Sequence, residues 1–167
     1  MSNVHRLHLS DRIFFVTVNL RRSFAPLSPL EYEQVAAAIK ESRGKLGFQL
    51  FVLMPDHWHA LIGPAFPLTI SRVVQDIKWF SARSLNRQRH LTGTVWQHQF
   101  WDRFVRHEKE FQQRLQYMHL NPVRKGLVHR PEDWRWSSYN NFALQKAVVA
   151  ACPIRIDYVR LPESYRA

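Results

Sequence analysis

Residues 51–63 read FVLMPDHWHALIG. Two apolar runs are separated by Pro55-Asp56, a pair whose chemistry suits a chain reversal. Phe48, Leu50, Phe51, Val52 and Leu53 before the break, and HWHALI after it, are the bulky and β-branched types that strands favour. The stretch therefore predicts a buried hairpin over 48–54 and 57–63. Side chains alternate faces along a strand, so His57 and His59 share one face while Trp58 and Ala60 take the other. Two imidazoles on one face of a rigid strand form a pre-positioned pair of metal ligands. Two ordinary histidines at a strand edge would give the same pattern, and the hairpin alone does not choose between them.

Working outward, Ile13 to Leu20 (IFFVTVNL) predicts a strand ahead of the hairpin. Ser28 or Pro29 can open a helix with Glu31 and Glu33 in its first turn, where the helix dipole favours acids. That helix is expected to end near Gly44 or Gly47. After the hairpin, Leu68, Ile70, Val73, Val74, Ile77, Phe80 and Leu85 recur at helical spacing and predict a long helix over 67–89. Its opposite face carries Arg72, Lys78, Arg83, Arg87 and Arg89. This could lie along a phosphate backbone or simply meet solvent. Thr94 to Val105 (TVWQHQFWDRFV) predicts a fourth strand, and His107 to Leu120 a third helix that Asn121-Pro122 should end. The order β-α-β-β-α-β-α is that of an α+β fold, a ferredoxin-like antiparallel sheet with one additional helix. The expected organisation is a catalytic domain over 1–128 and a C-terminal appendage of the same domain over 129–167.

Composition limits the function classes. At 167 residues one domain is expected, long enough to bury about 70% of its unfolded surface. Hydrophobic residues make up 46% of the chain and aromatics 13%, values for a packed globule. Lys and Arg number 24 against 13 Asp and Glu, a net charge of +11 that points to a polyanionic partner, nucleic acid first. The single cysteine excludes a disulfide framework within the chain and any cysteine-based zinc site. The opening MSNVHRLHLSDR lacks the apolar core of a signal peptide. No apolar run approaches the ~20 residues that span a bilayer. The expected location is the cytoplasm, with no membrane partner.

A second motif gives the histidine pair a context. Tyr117 precedes Asn121 by four residues in YMHLNPVRKGLV, one turn apart on the same helical face. Taken with MPDHWHALI at 54–62, WQHQFWDRFVR at 96–106 and WRWSSY at 134–139, this resembles the single-tyrosine HUH transposases, specifically the REP-associated tyrosine transposases that act on single-stranded DNA. The segments occur in the family's order over about half the chain. HxH alone is weakly specific, whereas HxH followed by Y-x-x-x-N-P-V-R and then W-S-S-Y is strongly so.

The resemblance implies that Tyr117 is the nucleophile and that His57 and His59 hold a divalent metal, Mg²⁺ or Mn²⁺. Asn121 stands where some relatives carry Gln and is expected as the third ligand, since an amide oxygen also suits a hard cation. It further implies a 5′-phosphotyrosine intermediate, a free 3′-hydroxyl able to rejoin strands, and hairpins of repetitive palindromic DNA as the partner, bound by a monomer or a homodimer. Basic grooves and stacking aromatics hold unpaired strands. The candidates here are Arg103, Arg106, Arg124, Lys125, Arg130, Trp134 and Arg135, with Trp136 also available; core packing is the alternative for each tryptophan. Three rival readings stand beside this one: a metal-dependent hydrolase using Asp56 or Asp102 as third ligand without a covalent adduct, a non-catalytic nucleic-acid-binding regulator, and a related replication initiator.

Overall fold

The computed structural model describes residues 12–42, 46–65 and 67–140. Its strands are β1 (Phe14–Asn19), β2 (Leu46–Leu53), β3 (His57–Pro64) and β4 (Trp101–Phe104). Its helices are α1 (Pro29–Glu41), α2 (Ile70–Arg89) and α3 (Glu108–Arg124), followed by a 3₁₀ turn at Pro131–Asp133. The strands form one antiparallel sheet in the order β2-β3-β1-β4, the ferredoxin-like arrangement that the sequence predicts. Among the described residues no helix is long and apolar enough to cross a membrane.

Strand alternation divides the core in two. Val16, Val18, Phe51, Leu53, Trp58, Ala60 and Ile62 pack on one sheet face against α1 and α2. Phe15, Leu50, Val52 and Leu61 pack on the other, against Phe111, Leu115 and Met118 of α3. Each such side chain contributes roughly 2 kcal/mol by leaving water, so α3 is held firmly to the sheet of its own chain. The hairpin turn is also tied down: the Pro55 and Asp56 carbonyls accept from Leu27 N–H at 2.7 Å and Leu20 N–H at 2.8 Å.

Four element boundaries differ from the sequence reading. The expected strand over 94–105 narrows to Trp101–Phe104. Trp96 turns inward, its indole N–H donating to Ser81 Oγ at 2.8 Å, and Lys78 Nζ donates to the Gln97 and His98 carbonyls at 2.7 and 2.9 Å. Those carbonyls therefore serve a side chain and not a ladder. Pro122 does not end α3 but lies inside its last turn. The missing N–H costs only one helical bond there, and the helix closes afterwards with Gly126 N–H on Val123 O and Leu127 N–H on Pro122 O, each at 2.9 Å. This paired closure needs a left-handed residue, supplied by Gly126 at φ 70°. Helix α1 stops at Glu41, capped by Ser42; Gly44 lies outside the described residues, and Gly47 falls in β2, where the register shifts between Leu46 and Phe48. Helix α2 begins after Pro67, at Ile70, because the Thr69 hydroxyl caps it by accepting from Arg72 N–H.

Of the appendage, residues up to 140 are described. Leu53 N–H donates to Trp136 O and Ser138 N–H to Phe51 O, both at 2.8 Å, so this segment covers the outer edge of β2. Residues 141–167 of the expected appendage lie outside the described residues.

One ion pair joins the two helices of the first layer. Glu31, 2% exposed, binds Arg89 through both carboxylate oxygens and accepts from Ser28 N–H at 2.7 Å. Arg89 also donates to the Ala25 and Pro26 carbonyls at 3.1 and 3.0 Å. The Arg89 guanidinium holds the Glu31 carboxyl below its ordinary value. Arg89 is thus structural and not part of a phosphate-facing surface. Removing one partner of a buried pair strands the other charge. Arg89→Met should lower the unfolding free energy by about 3 kcal/mol in urea titration, and adding Glu31→Gln should restore part of the loss. Glu31 contributes stability at neutral pH that is lost as pH falls below its ordinary 4.5, and the Arg89→Met variant should lose less on acidification.

Candidate active site

The antiparallel pairing of β1 with β3 sets Thr17 opposite His59 and Asn19 opposite His57. Opposed residues share a sheet face, and this is the face covered by α3. Thr17 Oγ1 lies 2.8 Å from His59 Nδ1, and Asp56 Oδ1 lies 2.6 Å from His57 Nδ1. With both Nδ1 atoms engaged, the two Nε2 atoms turn toward each other, 3.2 Å apart. An imidazole that donates Nδ1–H to an oxygen keeps its Nε2 lone pair for a cation.

His59 is almost fully buried at 4% exposure. Burial above all, then the neighbouring His57, pushes its imidazole down to about 3; Lys125 acts in the same sense and Asp56 against it. His59 is consequently neutral at physiological pH, the form that ligates metal. Two lone pairs aimed at one another at 3.2 Å repel unless a proton or a cation lies between them. Two nitrogens each ~2.1 Å from one ion would stand about 3.0–3.4 Å apart at inter-ligand angles of about 90–110°. The observed spacing fits a shared divalent ion.

Asn121, one turn beyond Tyr117, is 3% exposed, and its Nδ2 has no hydrogen-bond partner among the described residues. Rotation of the amide exchanges its nitrogen for its oxygen, so a buried amide with an unengaged end suits the expected third ligand. Among the described residues no group of three His, Cys, Asp or Glu side chains is arranged to hold a metal. Asp56 sits behind His57 on Nδ1, as an orienting group. Asp102 pairs with Val16 and so faces the other side of the sheet. The acidic third ligand of the hydrolase reading therefore has no support here.

The Tyr117 ring stands 5.5 Å from His59 and 6.1 Å from Phe15, centroid to centroid, and the tyrosine is 40% exposed. The tyrosine and both histidines belong to one chain. Arg124, two turns further along α3, carries its guanidinium 5.6 Å from the Tyr117 centroid. Lys125 follows as the helix cap, close enough to influence His59. Arg103 and Arg106 line a cavity of about 440 Å³ together with Tyr117.

The other predicted contacts lie elsewhere. Arg130 is paired with Glu132 at 3.6 Å and Asp133 at 3.3 Å. The Trp134 indole donates to Leu53 O at 2.9 Å and meets Tyr32 edge-on, which makes it a strut between the appendage and β2 and not a free stacking platform. Trp136 stacks on Tyr32 within the core, and Arg135 lies over the Trp136 ring. Sequence reasoning did not single out Thr17, Phe15 or Arg114. Alternation puts Phe15 and Thr17 on one face of β1, but only the β1–β3 pairing brings that face to the histidines.

Comparison with known proteins gives the family and the fold. The family described as "Transposase IS200 like" matches residues 12–117. A REP-associated tyrosine transposase of Escherichia coli (strain K12) is 27% identical over 147 residues, 84% of each chain. A putative REP-associated tyrosine transposase of Haemophilus influenzae is 26% identical over 152 residues, 84% of this chain and 86% of that one. Among solved structures, a REP-associated tyrosine transposase bound to a REP hairpin shares the fold with a TM-score of 0.70 at 22% identity, covering 92% of each chain. Matched from the first strand through Tyr117, the chain belongs to the IS200-like transposase family.

Proposed function

We propose that this transposase is a metal-dependent single-stranded DNA endonuclease and strand transferase that cleaves beside repetitive hairpins through a covalent bond to Tyr117. The observation that carries the reading is the Tyr117 ring packed beside His59 while His57 and His59 turn both Nε2 atoms to one point. The hairpin-bound relative of the same fold favours hairpin DNA as the partner. The packing of Tyr117 against His59 within the chain supports action in cis.

In this reading the Tyr117 oxygen attacks the scissile phosphorus. A tyrosine–phosphate bond forms, the bond from phosphorus to the 3′-oxygen breaks, and the phenolic proton is lost to solvent while the released 3′-oxygen gains one. The 3′-hydroxyl can later attack the phosphotyrosine in reverse, so strands rejoin without a nucleotide cofactor. His57, His59 and Asn121 would hold Mg²⁺ or Mn²⁺, which supplies Lewis-acid stabilisation of charge on the phosphate. Thr17 and Asp56 keep the two rings oriented. Arg124, beside the tyrosine ring, neutralises phosphate charge near the nucleophile.

Incubation with labelled single-stranded hairpin oligonucleotides and Mn²⁺ should yield a protein–DNA adduct on a denaturing gel. Tyr117→Phe should remove the adduct and leave DNA affinity within about twofold; cleavage surviving in that variant would refute the tyrosine mechanism and favour a hydrolase. Calorimetric titration with Mn²⁺ should show binding to the wild type that His59→Ala loses and Thr17→Val weakens by roughly 10-fold or more. In salt-titrated DNA binding, Arg124→Ala should reduce affinity and lower the salt slope by about 1. An unaltered slope would remove Arg124 from the interface.

A further inference from the structure

One aromatic–cationic cluster beside the tyrosine has no role in the chemistry above. Trp101 of β4 pairs with Thr17 and therefore lies on the histidine face of the sheet, yet it is 47% exposed. On a sheet edge, a half-exposed indole beside a buried site calls for an explanation. The Arg114 guanidinium stands 5.7 Å from the Trp101 ring and 5.3 Å from the ring of Phe15. Phe15 in turn touches His59, Trp101 and Tyr117, with centroids 5.3, 5.9 and 6.1 Å away. Arg114 precedes Tyr117 by three residues, so both rise from one face of α3, and both line the 440 Å³ cavity with Arg103, Arg106 and Glu110.

Charge in that cavity is unevenly compensated. Glu110, in the first turn of α3, is 6% exposed, forms an ion pair with Arg103 Nε at 2.7 Å and accepts from Arg106 N–H at 3.1 Å. Its carboxylate is thereby committed to Arg103 and the backbone. Among the described residues no carboxylate forms an ion pair with Arg106 or Arg114, and both line the cavity with the nucleophile. An open cavity lined by arginines and the tyrosine, with an exposed indole beside one of those arginines, matches one unpaired nucleotide: phosphate on the arginine and base on the indole.

We infer that Trp101 and Arg114 form a seat for a single unpaired nucleotide of the DNA strand next to the scissile phosphate, with the base stacked on Trp101 and the phosphate bound by Arg114. The inference rests on the strand-cleavage reading and adds to it which residues register the strand against Tyr117. Arg114 is held by ring contacts on two sides, so its fork is oriented before the strand arrives. A base on Trp101 would fix the distance from that nucleotide to Tyr117, and with it the bond presented for attack.

The test scans one oligonucleotide in two ways, with a single abasic site and with a single neutral methylphosphonate moved along the strand near the cleavage point. Adduct formation is the readout. In the wild type, one abasic position and one methylphosphonate at the same or the adjacent nucleotide should each slow the reaction about 10-fold. Trp101→Ala should be slower by a similar factor and insensitive to that abasic position, and Trp101→Phe should restore the sensitivity. Arg114→Gln should be insensitive to that methylphosphonate. If either alanine or glutamine variant keeps the wild-type scan, the seat is overturned. Failure of the wild type to form any adduct would instead count against the cleavage reading. The two scans would then be read as binding, where position-specific penalties that persist in the variants still overturn the seat.

Discussion

Across one rung of the β1–β3 ladder, the Thr17 hydroxyl meets His59 Nδ1 at 2.8 Å, and the geometry of the site follows from that contact. The hydrogen bond turns the ring so that Nε2 points at His57, while Asp56 does the same for the other imidazole. Burial keeps His59 neutral, so its lone pair is available without competition from a proton. A surface histidine would spend part of its time protonated and free to rotate. Here the sheet supplies rigidity, desolvation supplies the charge state, and the neighbouring oxygens supply direction.

The tyrosine reaches this pair because α3 is a core element. Phe111, Leu115 and Met118 bury themselves against β1, β2 and β3, which leaves Tyr117 on the rim of the same helix. The appendage secures the arrangement from behind. His119 Nε2 and Ser138 Oγ lie 2.8 Å apart, and Ser138 is bonded to Phe51 of β2 through both its N–H and its hydroxyl. The W-S-S-Y segment is therefore a structural brace between the tyrosine helix and the sheet edge.

The positive charge of the chain is not one uniform surface. Arg89 joins α1 to α2, Lys78 holds two loop carbonyls, and Arg130 is balanced by adjacent acids. Arg106, Arg114 and Arg124 stand around Tyr117 instead. Net charge announces a polyanionic partner, whereas the place where the polyanion meets chemistry depends on which cations already have carboxylate or carbonyl partners within the protein.

The hydrophobic runs and the HxH spacing determined the sheet, its element order and the shared face of His57 and His59, because strand alternation is a local property of the backbone. The Y-x-x-x-N spacing likewise placed Tyr117 and Asn121 on one helical face. Local rules misjudged Pro122, which a helix tolerates in its last turn when a left-handed Gly126 closes it. They also overextended β4, whose first half is diverted by Trp96 and Lys78. Only the tertiary structure decided that Thr17 orients His59, that Trp134 braces while Trp101 stays open, and that Arg114 shares a cavity with the tyrosine. These are contacts between residues far apart in the chain, and no periodicity within a segment records which partner the folded sheet brings to its face.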